Sequence, residues 1–153
     1  MKIFKNILLL VAICSLALFA CKKDCKDRCV ISKSGLPMSG SQEVPVRQTD
    51  ASGRIKVSYN KCDKTLEYTV SWSDLTGLPI GSHIHGTAPK GVNAPIKHDF
   101  TALLPKTTSG TFTNSVKVDE VAIKEDSLLA GFYYINIHTP KFPGGEIRGQ
   151  IEF

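Results

Sequence analysis

The chain has 153 residues, 42% of them hydrophobic and 22% charged, and carries a formal charge of +5. That length builds one domain with a real core and leaves no room for a second. Lys2 and Lys5 lie at the extreme N-terminus, and without them the balance is +3, too mild a surplus to argue for nucleic acid as a partner.

Lys2 and Lys5 precede an apolar run over 7–20, the layout of a secretory signal peptide and too short to span a bilayer comfortably. The run ends in Leu18-Phe19-Ala20-Cys21, which resembles a lipoprotein signal, where a small residue precedes the cysteine that receives the lipid. The expectation is a signal peptide over 1–20, a lipidated Cys21 with a charged tether over 21–35, and a folded domain over 36–153. Lys22-Lys23-Asp24 is similar to the tethers of bacterial surface lipoproteins. An anchor at Cys21 attaches the protein to the bacterial envelope, with the outer membrane or cell surface as the expected location. Cys25, Cys29 and Cys62 then form at most one intramolecular bridge. It runs either from the tether to Cys62 or from Cys25 to Cys29, and the sequence leaves the pairing open.

Ser39 to Pro45 opens the domain, with Pro45 suited to an edge strand or a bulge. Residues 51–59 alternate, with Ile55, Val57 and Tyr59 on one face. Residues 65–72 repeat the pattern with Leu66, Tyr68, Val70 and Trp72, so the two runs predict a hairpin about 60–64. A loop over 75–81 leads to a short strand at His83-Ile84-His85. A long loop over 86–95 follows, then strands over 96–100 and 110–118. Asp119 caps a predicted helix over 119–129, which Gly131 stops. The last segment, 133–153, reads as a hairpin whose turn holds Pro140, Pro143, Gly144 and Gly145. Seven or eight short strands and one short helix predict an all-β fold, an antiparallel immunoglobulin-like Greek-key β-sandwich.

The final hairpin has two chemically different faces. Tyr133, Ile135, Ile137, Ile147, Ile151 and Phe153 make a core side. Tyr134, Asn136 and His138 point the other way, with Glu146, Arg148 and Gln150 as their expected cross-strand neighbours. His83 and His85, at i and i+2 on a strand, project from one face about 7 Å apart at Cα and can chelate one ion. Neutral imidazole suits copper or zinc, with His138 as a third ligand and Glu146 as a fourth or as an orienting partner. Against this stands a closed polar network of Glu43, His83, His85, Asn136, His138, Glu146 and Arg148 that fixes strand register and binds nothing. His98 falls outside either arrangement.

Ser39-Gly40-Ser41-Gln42-Glu43-Val44-Pro45, Gly81 to Gly86 with its following loop, and Tyr134 to Thr139 with Gly144 to Gln150 together resemble the CHRD domain, named for chordin. Val46 departs from the second proline that many members carry. The resemblance implies an immunoglobulin-like sandwich or barrel and no established general activity, so it describes a fold rather than a function. No Gly-x-Ser-x-Gly, His-Glu-x-x-His or phosphate-binding glycine loop is present, and no catalytic residue is assigned. The leading expectation is a non-enzymatic binding or structural module with an extracellular protein or glycan partner. A copper- or zinc-binding protein using the three histidines is the alternative, and a hydrolase or dismutase the remotest reading.

Overall fold

The structure is a computed structural model that describes residues 29–153. The segments expected to be a signal peptide, a lipidation site at Cys21 and a tether, up to residue 28, lie outside the described residues. Eight strands occur in chain order: β1 (Val30–Ser39), β2 (Ser52–Asn60), β3 (Thr65–Ser73), β4 (Gly81–Gly86), β5 (Ile96–Asp99), β6 (Gly110–Lys117), β7 (Tyr133–His138) and β8 (Ile147–Ile151). One helix, α1 (Glu125–Leu129), and two 3₁₀ turns complete the described chain.

All strand pairings are antiparallel, as expected for an all-β fold. Instead of two separate sheets, the strands make one continuous sheet in the order β5-β4-β7-β8-β1-β2-β3-β6. The join is β1, which pairs along its length with β2 and reaches β8 through Ser39 opposite Arg148. The sheet curls until its two ends face each other across the core. Tyr68 of β3 lies 5.1 Å from Phe100, at the end of β5, and Phe100 stacks on Phe112 of β6 at 5.9 Å.

Both predicted hairpins form. β2 and β3 pair from Ser52 opposite Ser73 to Asn60 opposite Thr65. Their inward residues Ile55, Val57, Tyr59, Leu66, Tyr68, Val70 and Trp72 are all buried. β7 and β8 pair from Tyr133 opposite Ile151 to Ile137 opposite Ile147, and the apolar side enters the same core. Burying a side chain of this size contributes roughly 1.5–3 kcal/mol, so the two inner faces carry most of the fold's cohesion.

Two expectations are corrected, and one open pairing is resolved. β1 starts at Val30, inside the segment read as tether. Its first half is exposed except for half-buried Ile31, and it breaks register between Lys33 and Leu36, so it carries no alternating signal. Cys29, just ahead of β1, is bonded to Cys62 in the β2–β3 turn with Cα atoms 5.5 Å apart, which resolves the open pairing. The helix is only five residues long. Asp119 Oδ1 does accept hydrogen bonds from the amides of Val121, Ala122 and Ile123. Glu120, however, adopts φ +61°, a left-handed backbone that cannot continue a right-handed helix, so the helix begins only at Glu125.

Candidate metal centre

β4 lies between β5 and β7, and its register sets Gly81 opposite His138, His83 opposite Asn136 and His85 opposite Tyr134. On β8, Arg148 lies opposite Asn136 and Gln150 opposite Tyr134. Alternation therefore gathers His83, His85, Tyr134, Asn136, His138 and Arg148 on the sheet face turned away from the hydrophobic core. This face is not left to solvent. The 87–95 connection is a hairpin connection, because β4 and β5 pair directly. It folds back over the polar face and is held there. Arg148 Nη2 donates to Val92 O (2.9 Å), Asn93 Nδ2 donates to Val44 O (3.0 Å), and the Ala94 amide donates to the Tyr134 hydroxyl (3.2 Å).

The three histidines converge, with one ring nitrogen from each lying within 4.8 Å of the others. The opposite nitrogens are anchored to oxygen. His138 Nδ1 lies 2.9 Å from Pro143 O, and His85 Nδ1 lies 2.8 Å from Ala94 O. A carbonyl only accepts, so both Nδ1 atoms carry the proton and both Nε2 atoms present a lone pair. His83 turns Nε2 toward the Thr101 hydroxyl (3.4 Å) and the Asp99 carboxylate (3.8 Å), leaving Nδ1 to face His138 Nε2 at 3.1 Å. His85 Nε2 is buried and makes no close hydrogen bond, with the Asn136 side chain beside it. A buried acceptor in that state costs about 1–3 kcal/mol, which makes it the most informative atom of the cluster.

Electrostatics agree with neutral rings. Burial, reinforced by neighbouring His138, lowers His83 from 6.5 to about 4, and burial also leads the lowering of His85 and His138. Neutral imidazole is the form that binds metal.

Beside the histidines lies a second group. Arg148, 1% exposed, places its guanidinium 3.4 Å from the centroid of Tyr134, while His85 stacks on Tyr134 at 4.8 Å with the rings parallel. Glu43, 3% exposed, is pushed up to about 7 by burial, against the opposing pull of Arg148 and Arg47. Gly145, at φ +117°, makes room for it, since a Cβ there would lie 2.3 Å from Glu43 Oε1 and 2.9 Å from Asn136 Nδ2.

Glu146 stands apart from this group. Its carboxylate is fully buried and accepts from the hydroxyls of Thr49 (2.7 Å), Thr76 (2.9 Å) and Thr139 (2.6 Å) and from the Thr76 amide. It holds loops together, and among the described residues no ion pair joins it to Arg148. Its expected place beside His138 fails because it precedes the regular ladder, after the turn at Gly145, where alternation no longer decides direction. His98 is separate from the site as expected. It faces inward, with Nε2 3.1 Å from the Tyr68 hydroxyl and its ring stacked near Phe100. Neither the anchoring carbonyls of Ala94 and Pro143 nor the role of Tyr134 could be found from side-chain pattern, because carbonyls belong to every residue.

The titrating groups pull stability in opposite directions. His83 refuses a proton that the unfolded chain accepts between about pH 4 and 6.5, so its contribution to stability rises through that range. Glu43 keeps a proton that the unfolded chain releases, so its contribution falls as pH rises from 4.5 to about 7. Glu43→Gln removes only the falling component. Urea unfolding at pH 5 and pH 8 is expected to show a larger gain at pH 8 in the variant, by on the order of 3 kcal/mol. Parallel pH profiles for variant and wild type would contradict the assignment.

A model of the CHRD domain matches residues 35–151. No curated protein and no solved structure matches the chain significantly. The matched span begins within β1, ends with β8 and includes every strand that builds the histidine face, and on that match the chain belongs to the CHRD domain family.

Proposed function

We propose that this CHRD protein is a lipid-anchored module of the bacterial envelope that holds one divalent transition-metal ion, zinc or copper, through His83, His85 and His138. One observation carries the reading: three ring nitrogens converge while the opposite nitrogen of each ring faces an oxygen. This is how protein-bound metal sites fix the tautomer and aim of their histidines. A purely structural network accounts for the contact between His83 and His138, in which one proton joins the two rings. It leaves His85 Nε2 without a close hydrogen bond. The envelope location is supported by the leader ahead of Cys21 and by the Cys29–Cys62 disulfide, which suits an oxidising compartment.

The test is elemental mass spectrometry on the full chain, purified in detergent without a histidine tag, followed by zinc and copper titration. One equivalent of metal per chain is expected, with none in the His83→Ala/His138→Ala double variant. An ion at a thousand times its Kd stabilises by about 4 kcal/mol, a rise in Tm on the order of 10 °C. Absence of both metal and thermal shift would leave the histidines a register-fixing network.

A further inference from the structure

Resting on the metal reading above, we propose that Asn136 is the fourth ligand, through its carbonyl oxygen Oδ1, so that the ion sits in a closed set of three imidazoles and one amide. Asn136 Oδ1 lies 3.0 Å from His138 Nε2. That nitrogen cannot donate to it, because the His138 proton is committed to Pro143 O on the other side of the ring. An oxygen lone pair and a nitrogen lone pair therefore meet at hydrogen-bond distance with no hydrogen between them. His83 Nδ1 faces the same nitrogen at 3.1 Å, and His85 Nε2, which makes no close hydrogen bond, completes the group. Three lone pairs, on Asn136 Oδ1, His138 Nε2 and His85 Nε2, are turned toward one volume beside His83 Nδ1. His83 Nδ1 becomes the fourth donor when its ring proton moves to Nε2, facing Thr101 and Asp99, and a single cation satisfies all of them at once.

The spacing suits that ion. Bonds of about 2.0–2.1 Å in a tetrahedral zinc site separate the donor atoms by about 3.3 Å. The 3.0 and 3.1 Å separations lie close to this edge, and the wider spacing within the histidine trio closes on binding. The direction of the amide is set from behind. Asn136 Nδ2 shares the space left by Gly145 with the Glu43 carboxyl, and a side-chain hydrogen bond from Asn136 is among the contacts that act on Glu43. Glu43 is thus a positioning residue, taking the NH₂ end of the amide and turning the oxygen toward the histidines. Tetrahedral nitrogen donors completed by an oxygen suit zinc, whereas copper(I) favours thiolate or thioether sulfur. The ion has a way in. His83 and His138 border a surface hollow lined by Ile80, Gly81, Asp99, Thr101 and Pro143. A Cβ at Gly81 would press on both rings at 3.2 Å, so glycine keeps that side clear.

Cobalt(II) loaded in place of zinc, with azide as probe, separates a closed site from one completed by solvent. In a three-histidine site the fourth position holds exchangeable water, so its spectrum changes with pH near neutrality and with azide. With Asn136 bound, the wild-type cobalt spectrum is expected to be tetrahedral, constant from pH 6 to 9 and unmoved by azide. Asn136→Ala is expected to bind cobalt at least tenfold more weakly and to become azide-sensitive, while Asn136→Asp keeps an oxygen donor and stays azide-silent. An azide response in the wild-type protein would overturn the proposal and leave the three-histidine site standing. That measurement needs no variant to fold. Failure of the folded wild-type protein to take up cobalt would overturn both this proposal and the metal reading beneath it.

Discussion

Arg148→Ala is expected to lose about 3–5 kcal/mol of folding stability at pH 8, the range for truncating a large, fully buried side chain. The guanidinium is 1% exposed, stacks on Tyr134 and donates to Val92 O, so its removal empties one face of an aromatic ring and releases the 87–95 connection. It also removes the main charge that opposes the raised pKa of Glu43. The loss should depend on pH in a way that a simple cavity would not. Near pH 5.5, below the value of about 7 for Glu43, that carboxyl is already neutral in the folded protein and needs no counter-charge. The penalty is therefore smaller there and grows toward pH 8. Combining Arg148→Ala with Glu43→Gln should cost less than the two separate changes added together, as expected for groups that share one environment. Chemical denaturation of the four proteins at both pH values reads all of this. A pH-independent loss below about 1 kcal/mol would mean that Arg148 neither balances Glu43 nor holds the connection.

The second large effect is expected at Gly86, the last residue of β4 and the start of the same connection. A Cβ at this position would lie 2.3 Å from both Cδ1 and Cε1 of Tyr133, well inside any real contact. The ring cannot step aside. Tyr133 is fully buried, and its hydroxyl accepts from the Lys124 amide at 2.9 Å. Gly86 also donates to Pro95 O, which fixes the root of the connection. Overpacking of this kind usually costs 1–3 kcal/mol, and with both neighbours pinned Gly86→Ala is expected to cost about 3 kcal/mol or more. Gly91→Ala, in the same connection, is the control. Nothing lies within 4 Å of its Cβ position, so only its φ of +81° is strained and the cost should stay near 1 kcal/mol. Comparable Tm changes for the two variants would show that Tyr133 yields to the added methyl.

Much of this architecture follows from period two. In β2, β3, β7 and β8 every second residue is apolar, and those residues form the core whichever strands lie beside them. The same parity places His83, His85, Asn136 and His138 together as soon as β4 pairs with β7, which is why the histidine trio was legible before any coordinates. Parity says nothing beyond the ends of a ladder. Glu146 sits one residue outside the paired stretch of β8, so its carboxylate turned to the threonines at 49, 76 and 139 and not to the histidines. The largely exposed first half of β1 carries no alternating pattern, and only the pairing with β2 and the Cys29–Cys62 bond reveal it as strand.

The β2–β3 and β7–β8 hairpins, the faces they bury and the side chains that share the polar face were written in the sequence, because alternation along a strand is local geometry. Long-range packing set the rest: the strands make one curled sheet, the 87–95 connection closes over the polar face, and the carbonyls of Ala94 and Pro143 take the outward nitrogens of His85 and His138. Those carbonyls come from the loops that follow each histidine's strand, nine and five residues on, and a backbone oxygen leaves no mark in the identity of its residue. Whether a histidine aims its lone pair inward or away is settled by such an oxygen.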